Sequence, residues 1–311
     1  MGKAAEQEQR QERIQQILKK VRRLEIKTRR LLSDPLVGAY RSVFKGQGMD
    51  FEEVREYCPG DEVRTIDWNV SAKMNRPYIK KFREERELTM LIAVDLSASL
   101  NFGSGEQTKR DVAGELASVL AFSATKNSDK VGLLLFSDRI EAYIPPHKGK
   151  NHILRVIREI LFFEPKGRRT DLAQALHFLR QILRRRAIVF LLSDFLPCGT
   201  ASGALSEEEL RSLRWMRRSH DIVCVRVGDP REQLLPPVGW VRWEDSETGE
   251  LREVNTASRD FQRNYESLLR ARNRQLEEHF RRSGIDSFAI STDVPFLHAF
   301  DSFLKTRHAR R

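Results

Sequence analysis

The sequence predicts an α/β fold: a mostly parallel sheet with helices on both faces, preceded by an N-terminal helix and a small β-rich segment. Three observations predict it. Short apolar runs, too short for helices, recur from residue 88 onward and read as strands buried on both faces. Most are followed by a segment with apolar residues at helical spacing, and strand-helix alternation of this kind argues for parallel βαβ units. The length, 311 residues with 40% hydrophobic content, allows one large or two small domains with a real core.

Taken in order, residues 1–35 form the first predicted segment. Within Gln7–Leu32, Ile14, Ile17, Val21, Leu24 and Leu31 recur at steps that place them on one face of a helix, with Lys and Arg opposite. Such a helix either packs on its own domain or docks a partner. Ser33-Asp34-Pro35 is expected to end it, because proline favours extended geometry in the residue before it. Residues 36–87 are turn-rich, with Gly38, Gly46, Gly48 and Pro59-Gly60-Asp61, and predict short strands and loops.

The main domain is predicted over residues 88–311. Strands are expected at Leu88–Val94, Val131–Phe136, Ala187–Leu192, Ile222–Val227 and Ser287–Ile290. Helices are expected at Arg110–Lys126, Asn151–Phe163, Asp171–Arg185, Glu207–His220, Ser258–Ser283 and Pro295–Lys305, with a hairpin insertion near 239–254 turning at Glu247-Thr248-Gly249.

Charge and cysteine use narrow the function classes. The net charge of +11 sits in the tails: residues 1–32 carry +6, residues 301–311 carry +3, and the 268 between them only +2. Basic tails can hold phosphate backbones without sequence preference. The nearly balanced body, without an RNA-binding motif or zinc-finger spacing, makes nucleic-acid binding the lesser alternative. No apolar run reaches the roughly 18 residues of a membrane span, and the N-terminus is charged, so the expected location is cytoplasmic. Cys58, Cys198 and Cys224 lie far apart and are expected to be free buried thiols.

The motif that carries chemistry is Asp95-Leu96-Ser97-Ala98-Ser99, directly after the first apolar run. Ligands of open α/β sheets gather at the carboxyl ends of strands. One carboxylate and two hydroxyls there make a hard-oxygen set suited to Mg2+ or Mn2+ and unsuited to zinc or copper. Thr170, at the start of a predicted helix, and Asp194, closing another apolar run, fall where the same site needs further oxygens. Taken singly, Thr170 reads as a helix N-cap and Asp194 as a loop cap.

Together, Asp95, Ser97, Ser99, Thr170 and Asp194 resemble, in order and context, the metal-ion-dependent adhesion site of von Willebrand factor A domains, over about residues 88–230. Upstream, Gly46-Gln47-Gly48, Phe51–Tyr57, Pro59-Gly60-Asp61, Arg64, Ile66-Asp67-Trp68, Lys81-Phe82 and Glu84-Glu85-Arg86 resemble the signature of a bacterial family, domain of unknown function 58; Pro145-Pro146 and Gly149 fit it too. The resemblance implies a von Willebrand factor A-like (Rossmann-like) fold and a divalent cation, Mg2+ or else Mn2+ or Ca2+. The ion would be held by Asp95, Ser97, Ser99 and Thr170, with Asp194 direct or through water, and an acidic side chain of a protein partner would complete it. It also implies a MoxR-type AAA+ ATPase as partner, in assembly or maturation of other proteins. The residues Arg55, Asp61, Arg64, Asp67 and Trp68 read either as a second interaction surface or as a buried ion-pair network, and the aromatics beside paired charges favour the second.

An enzyme is the rival class, since two carboxylates and Mg2+ can polarise a phosphoryl group. A hydrolase also needs a positioned base or nucleophile. His147, His152, His177 and His279 are scattered, nothing pairs them with Ser97 or Asp95, and no GxxxxGK[ST] occurs. The expectation is a binding module with no catalysis of its own.

Overall fold

The computed structural model describes residues 19, 21–28, 31, 34–44, 50–63, 66–83, 87–196 and 205–310. They fall into two compact units: Met1–Val43 with Thr89–Arg311, and Phe44–Leu88.

The larger unit is built on a six-stranded sheet of β3 (Thr89–Asp95), β4 (Lys130–Phe136), β5 (Ile140–His147), β6 (Ile188–Ser193), β7 (Asp221–Gly228) and β10 (Asp286–Ser291), in the order β10-β7-β6-β3-β4-β5. All neighbours are parallel except β4 and β5. The chain leaves β3 for β4 on one side and returns to β6 on the other, so the carboxyl end of β3 is a topological switch point.

Both faces are covered, which is why the strands read as unbroken apolar runs. Leu91, Ala93, Val189 and Leu191 meet Leu172, Leu176 and Leu179 of α6 (Leu172–Ile182), Leu210, Leu213 and Met216 of α7 (Glu207–Ser219), and Leu276 and Phe280 of α9 (Arg259–Arg282). The alternate residues Met90, Ile92 and Val94 are equally buried on the other face. There α4 (Lys109–Lys126) packs on β3 and β4, with α5 (Lys150–Phe162) alongside it.

Residues 21–28, here α1, are helical, with Val21, Leu24 and Thr28 buried. Lys27 pairs with Glu115 at 2.7 Å and Glu25 with Lys150 at 2.9 Å, so this part of the predicted arm packs on its own unit. Ile14 and Ile17 lie outside the described residues. Residues 36–43, expected among short strands and loops, belong instead to a second helix, α2 (Asp34–Val43), which packs against α10 (Phe296–Ala309). Pro35 in its first turn loses no hydrogen bond and is pre-set for helix, while Ser33 lies outside the described residues.

In the smaller unit, β1 (Asp50–Glu56) pairs antiparallel with β2 (Tyr78–Arg83), and α3 (Trp68–Met74) lies between them in sequence. Arg55 and Asp61 form a two-pronged pair at 2.7 and 2.9 Å. Asp67 accepts from Asn69 N and Val70 N and caps α3. Trp68, however, is 70% exposed, so it is no part of a buried network. Arg64 lies outside the described residues. Cys224 is buried as expected, Cys58 is exposed against expectation because it sits in the turn before Asp61, and Cys198 lies outside the described residues.

Candidate metal centre

Asp95 ends β3 at the switch point and is fully buried. Its Oδ1 accepts the Ser97 N–H at 2.8 Å, a local turn that brings the chain back over the strand end. A 3-10 turn at Ala98–Asn101 then places Ser99 beside Ser97, with their hydroxyl oxygens 3.0 Å apart. Asp95 Oδ2 accepts two hydroxyls from other elements: Ser193, at the end of β6, at 2.7 Å, and Thr170 at 3.3 Å.

Thr170 arrives on a loop that is fixed from two sides. Arg168 O accepts the Ala98 N–H at 2.8 Å, and Asp171 N donates to Ser137 O at 2.9 Å. Glu141 Oε1 accepts from Ser137 Oγ, Lys166 N and Gly167 N at 2.7–3.0 Å. Burial raises the Glu141 carboxyl, but these donors outweigh it and hold it below the usual range. A side chain at Gly167 would meet Ser137 Oγ at 2.2 Å, so the loop passes where only glycine fits. The cap of α6 is Asp171, which accepts from Gln174 N at 2.8 Å, so the Thr170 hydroxyl is not spent on capping.

Asp194 also lies at the site but turns differently. Its Oδ2 takes Lys109 Nζ at 2.8 Å, and its Oδ1 accepts from Leu196 N at 3.1 Å, the loop cap that its position suggests. Lys109, in the first turn of α4, is fully buried and also reaches Glu232, in the short helix α8 (Pro230–Gln233), at 2.6 Å. Burial opposes the lysine's charge, but Asp194 and Glu232 outweigh it and raise its pKa. Burial, then the charge of Asp194, push Glu232 upward against the pull of Lys109. Phe195 follows with φ of +53°, a left-handed backbone rare for a bulky residue, and Arg272 holds the carbonyls of Asp194 and Phe195 at 3.3 Å.

The structure thus joins Asp95, Ser97, Ser99 and Thr170 through hydrogen bonds, while Asp194 acts on Asp95 through its charge. Burial, and next the charge of Asp194, push the Asp95 carboxyl up to about 7. Ser193, Lys109, Glu232 and Glu247 are contacts that sequence reasoning missed. Only Lys109 gave a sign, as a cation in a helix first turn, where the helix dipole disfavours it. Glu247, in the hairpin turn, accepts from Thr170 Oγ1 at 3.1 Å.

Among the described residues no three His, Cys, Asp or Glu side chains gather as a metal cluster. The centre is of another composition: the Asp95 carboxylate is ringed by hydroxyls, with the Asp194 carboxylate buried nearby. That donor set fits a small hard cation that keeps water or an outside oxygen among its ligands, as Mg2+ does. His152 bonds to Val131 O at 2.7 Å, at the opposite end of β4, and its ring neighbours His147, so neither reaches Asp95.

A family model described as "protein of unknown function DUF58" matches residues 53–275. An uncharacterized protein of Mycobacterium tuberculosis is 31% identical over 291 residues, 92% of this chain and 88% of the relative. Among solved structures, an aerotolerance-related membrane protein from Bacteroides fragilis is similar at 13% identity and TM-score 0.47, over 70% of this chain and 99% of that one. The SpRpn10 VWA domain is similar at 12% identity and TM-score 0.38, over 71% of this chain and 95% of that domain.

Proposed function

Since this chain belongs to the DUF58 family, we propose that it is a protein-interaction module whose binding depends on a divalent cation at the carboxyl end of β3. The observation that carries the reading is Asp95: a fully buried carboxylate whose hydrogen-bond donors are the Ser193 and Thr170 hydroxyls and a backbone N–H, at a switch point of the sheet. In this reading Asp95, Ser97, Ser99 and Thr170 hold Mg2+, or Mn2+ or Ca2+ in its place. Asp194, engaged by Lys109, contributes through its charge. A dication facing few anionic ligands keeps positive charge, and so favours an acidic side chain from a protein partner.

The partner we propose is a MoxR-type AAA+ ATPase, which the family resemblance implies, with a role in assembly or maturation of other proteins. Among the described residues no helix is long and apolar enough to cross a membrane. We assign the chain no catalytic residue and propose a cytoplasmic location.

Capture of partners by the wild type and by Asp95→Ala, each in Mg2+ and in EDTA, tests the reading. Retention only by the wild type in Mg2+, with an AAA+ ATPase among the captured proteins, is the expected result. The same partners in all four samples would sink the metal dependence. Metal-dependent hydrolysis of p-nitrophenyl phosphate that is lost in Asp95→Ala would instead establish a hydrolase.

A further inference from the structure

The strand ends of the parallel sheet do not supply every group at the centre. Glu247 comes from the turn between β8 (Trp240–Glu244) and β9 (Leu251–Asn255), which pair only with each other as a separate two-stranded sheet. Residues 242–246 and 248–250 are exposed, and Glu247 alone in this stretch is partly covered. Its backbone is set by Asp245, whose Oδ1 accepts from Glu247 N at 2.9 Å and Thr248 N at 2.8 Å, while Gly249 N donates to Asp245 O at 2.7 Å. Gly249 takes φ of +72°, which closes the turn. The tip is therefore ordered so that one carboxylate reaches the mouth of the site.

What it meets there is the Thr170 hydroxyl, 3.1 Å from Glu247 Oε1 and 3.3 Å from Asp95 Oδ2. Hydroxyl-to-oxygen bonds centre near 2.7–2.8 Å, and Thr170 has one proton for two carboxylates. Both contacts are long, whereas Ser193 reaches Asp95 at 2.7 Å. Two carboxylates thus bracket one oxygen, an arrangement that a dication between them would draw together. Asp95 and Glu247 together supply the two negative charges that neutralise one such ion.

We propose that Glu247 is a further metal ligand, supplied by the hairpin of the same chain, and that it occupies the position a partner's acidic side chain takes. The proposal rests on the reading of the centre as a metal site. A carboxylate tethered on a short turn competes as an intramolecular ligand, so a partner must displace it, and the site is closed until one does. The hairpin is suited to yield: isolated two-stranded hairpins are marginally stable, and this one gains the edge contact of Trp243 on Tyr265 at 5.6 Å.

Mn2+ binding to the full chain, followed by electron paramagnetic resonance and by water-proton relaxation, tests this. The wild type, Asp95→Ala, Glu247→Ala and the hairpin control Glu250→Ala are compared, each with and without acetate. In Glu247→Ala the affinity is expected to fall about tenfold, as loss of a charged ligand requires. The bound ion should also relax water faster, by about one added coordinated water, and acetate should reverse that gain. In the wild type and Glu250→Ala acetate should change nothing. Affinity and relaxation in Glu247→Ala equal to the wild type, with binding lost in Asp95→Ala, would overturn the role of Glu247 and leave the metal site standing. No Mn2+ binding by the wild type would remove the site and this inference with it.

Discussion

Replacing Lys109 by Met removes a buried cation that faces two carboxylates at the centre. In the native protein its ammonium is fully buried, 2.8 Å from Asp194 and 2.6 Å from Glu232. Met keeps an unbranched stem of similar length, so the variant tests charge more than packing. Asp194 is left with a side chain only 3% exposed and without its direct ion-pair partner, Arg272 reaching only its carbonyl, while Glu232, at 30%, retains water to screen it. Breaking one side of a buried pair costs about 3–5 kcal/mol, most of it here through Asp194.

The variant Lys109→Met/Asp194→Asn removes the stranded charge as well, and is expected to regain more than half of the loss, a coupling of about 2 kcal/mol. Urea unfolding of the wild type, both single variants and the double variant, without metal, gives the cycle. Saturating Mg2+ adds a second reading. With Lys109 gone, Asp194 can join the donor set, and Mg2+ at a hundred times its dissociation constant should return about 2.7 kcal/mol. A loss below about 1 kcal/mol in Lys109→Met, or a double variant as unstable as the single one, would refute the reasoning that the lysine is there to balance the carboxylates.

Thr170→Val should weaken Mg2+ binding about tenfold with little loss of stability, whereas its neighbour Asp171→Ala should cost about 1 kcal/mol as a lost helix cap and leave Mg2+ affinity alone; calorimetric titration and urea unfolding separate the two, and equal metal affinities would count against Thr170. Gly167→Ala must displace Ser137 Oγ, 2.2 Å from the added carbon and bonded to Glu141, so about 1 kcal/mol of stability and part of the Mg2+ affinity should go together. His220 is buried with neither ring nitrogen hydrogen-bonded, and burial, then the Arg186 charge, lower its pKa. A depressed imidazole adds stability above its unfolded pKa that is lost as pH falls through the folded one, so from about pH 7.5 to about pH 5 the wild type should lose more unfolding free energy than His220→Phe; parallel profiles would exclude the effect.

The sheet was legible because β3, β4, β6 and β7 are buried on both faces, which makes each an apolar run with ends readable to within a residue or two. β5 was not, and the reason is its place. As an antiparallel edge strand it is half-exposed and carries Pro145-Pro146, which an interior strand cannot hold. The same local reasoning missed the helix that starts at Asp34-Pro35, because a proline that closes one helix can also sit in the first turn of the next. The packing of α2 on α10 holds that second helix.

The site divides along the same line. A strand end fixes where a backbone emerges, so Asp95, Ser97 and Ser99 could be placed together from sequence, and Thr170 followed from the next helix start. Which way a side chain turns depends on partners the spacing does not contain. Asp194 stands at its expected strand end, yet its carboxylate is drawn to Lys109, 85 residues earlier, and Lys109 is shared with Glu232, 123 residues later. Glu247 looks like a solvated turn residue until the hairpin is folded over Thr170, 77 residues away. Each of these four is a charge, and charges act on one another through the fold. In this protein the oxygens nearest the strand end were readable in the sequence. The charges around them are set by tertiary structure.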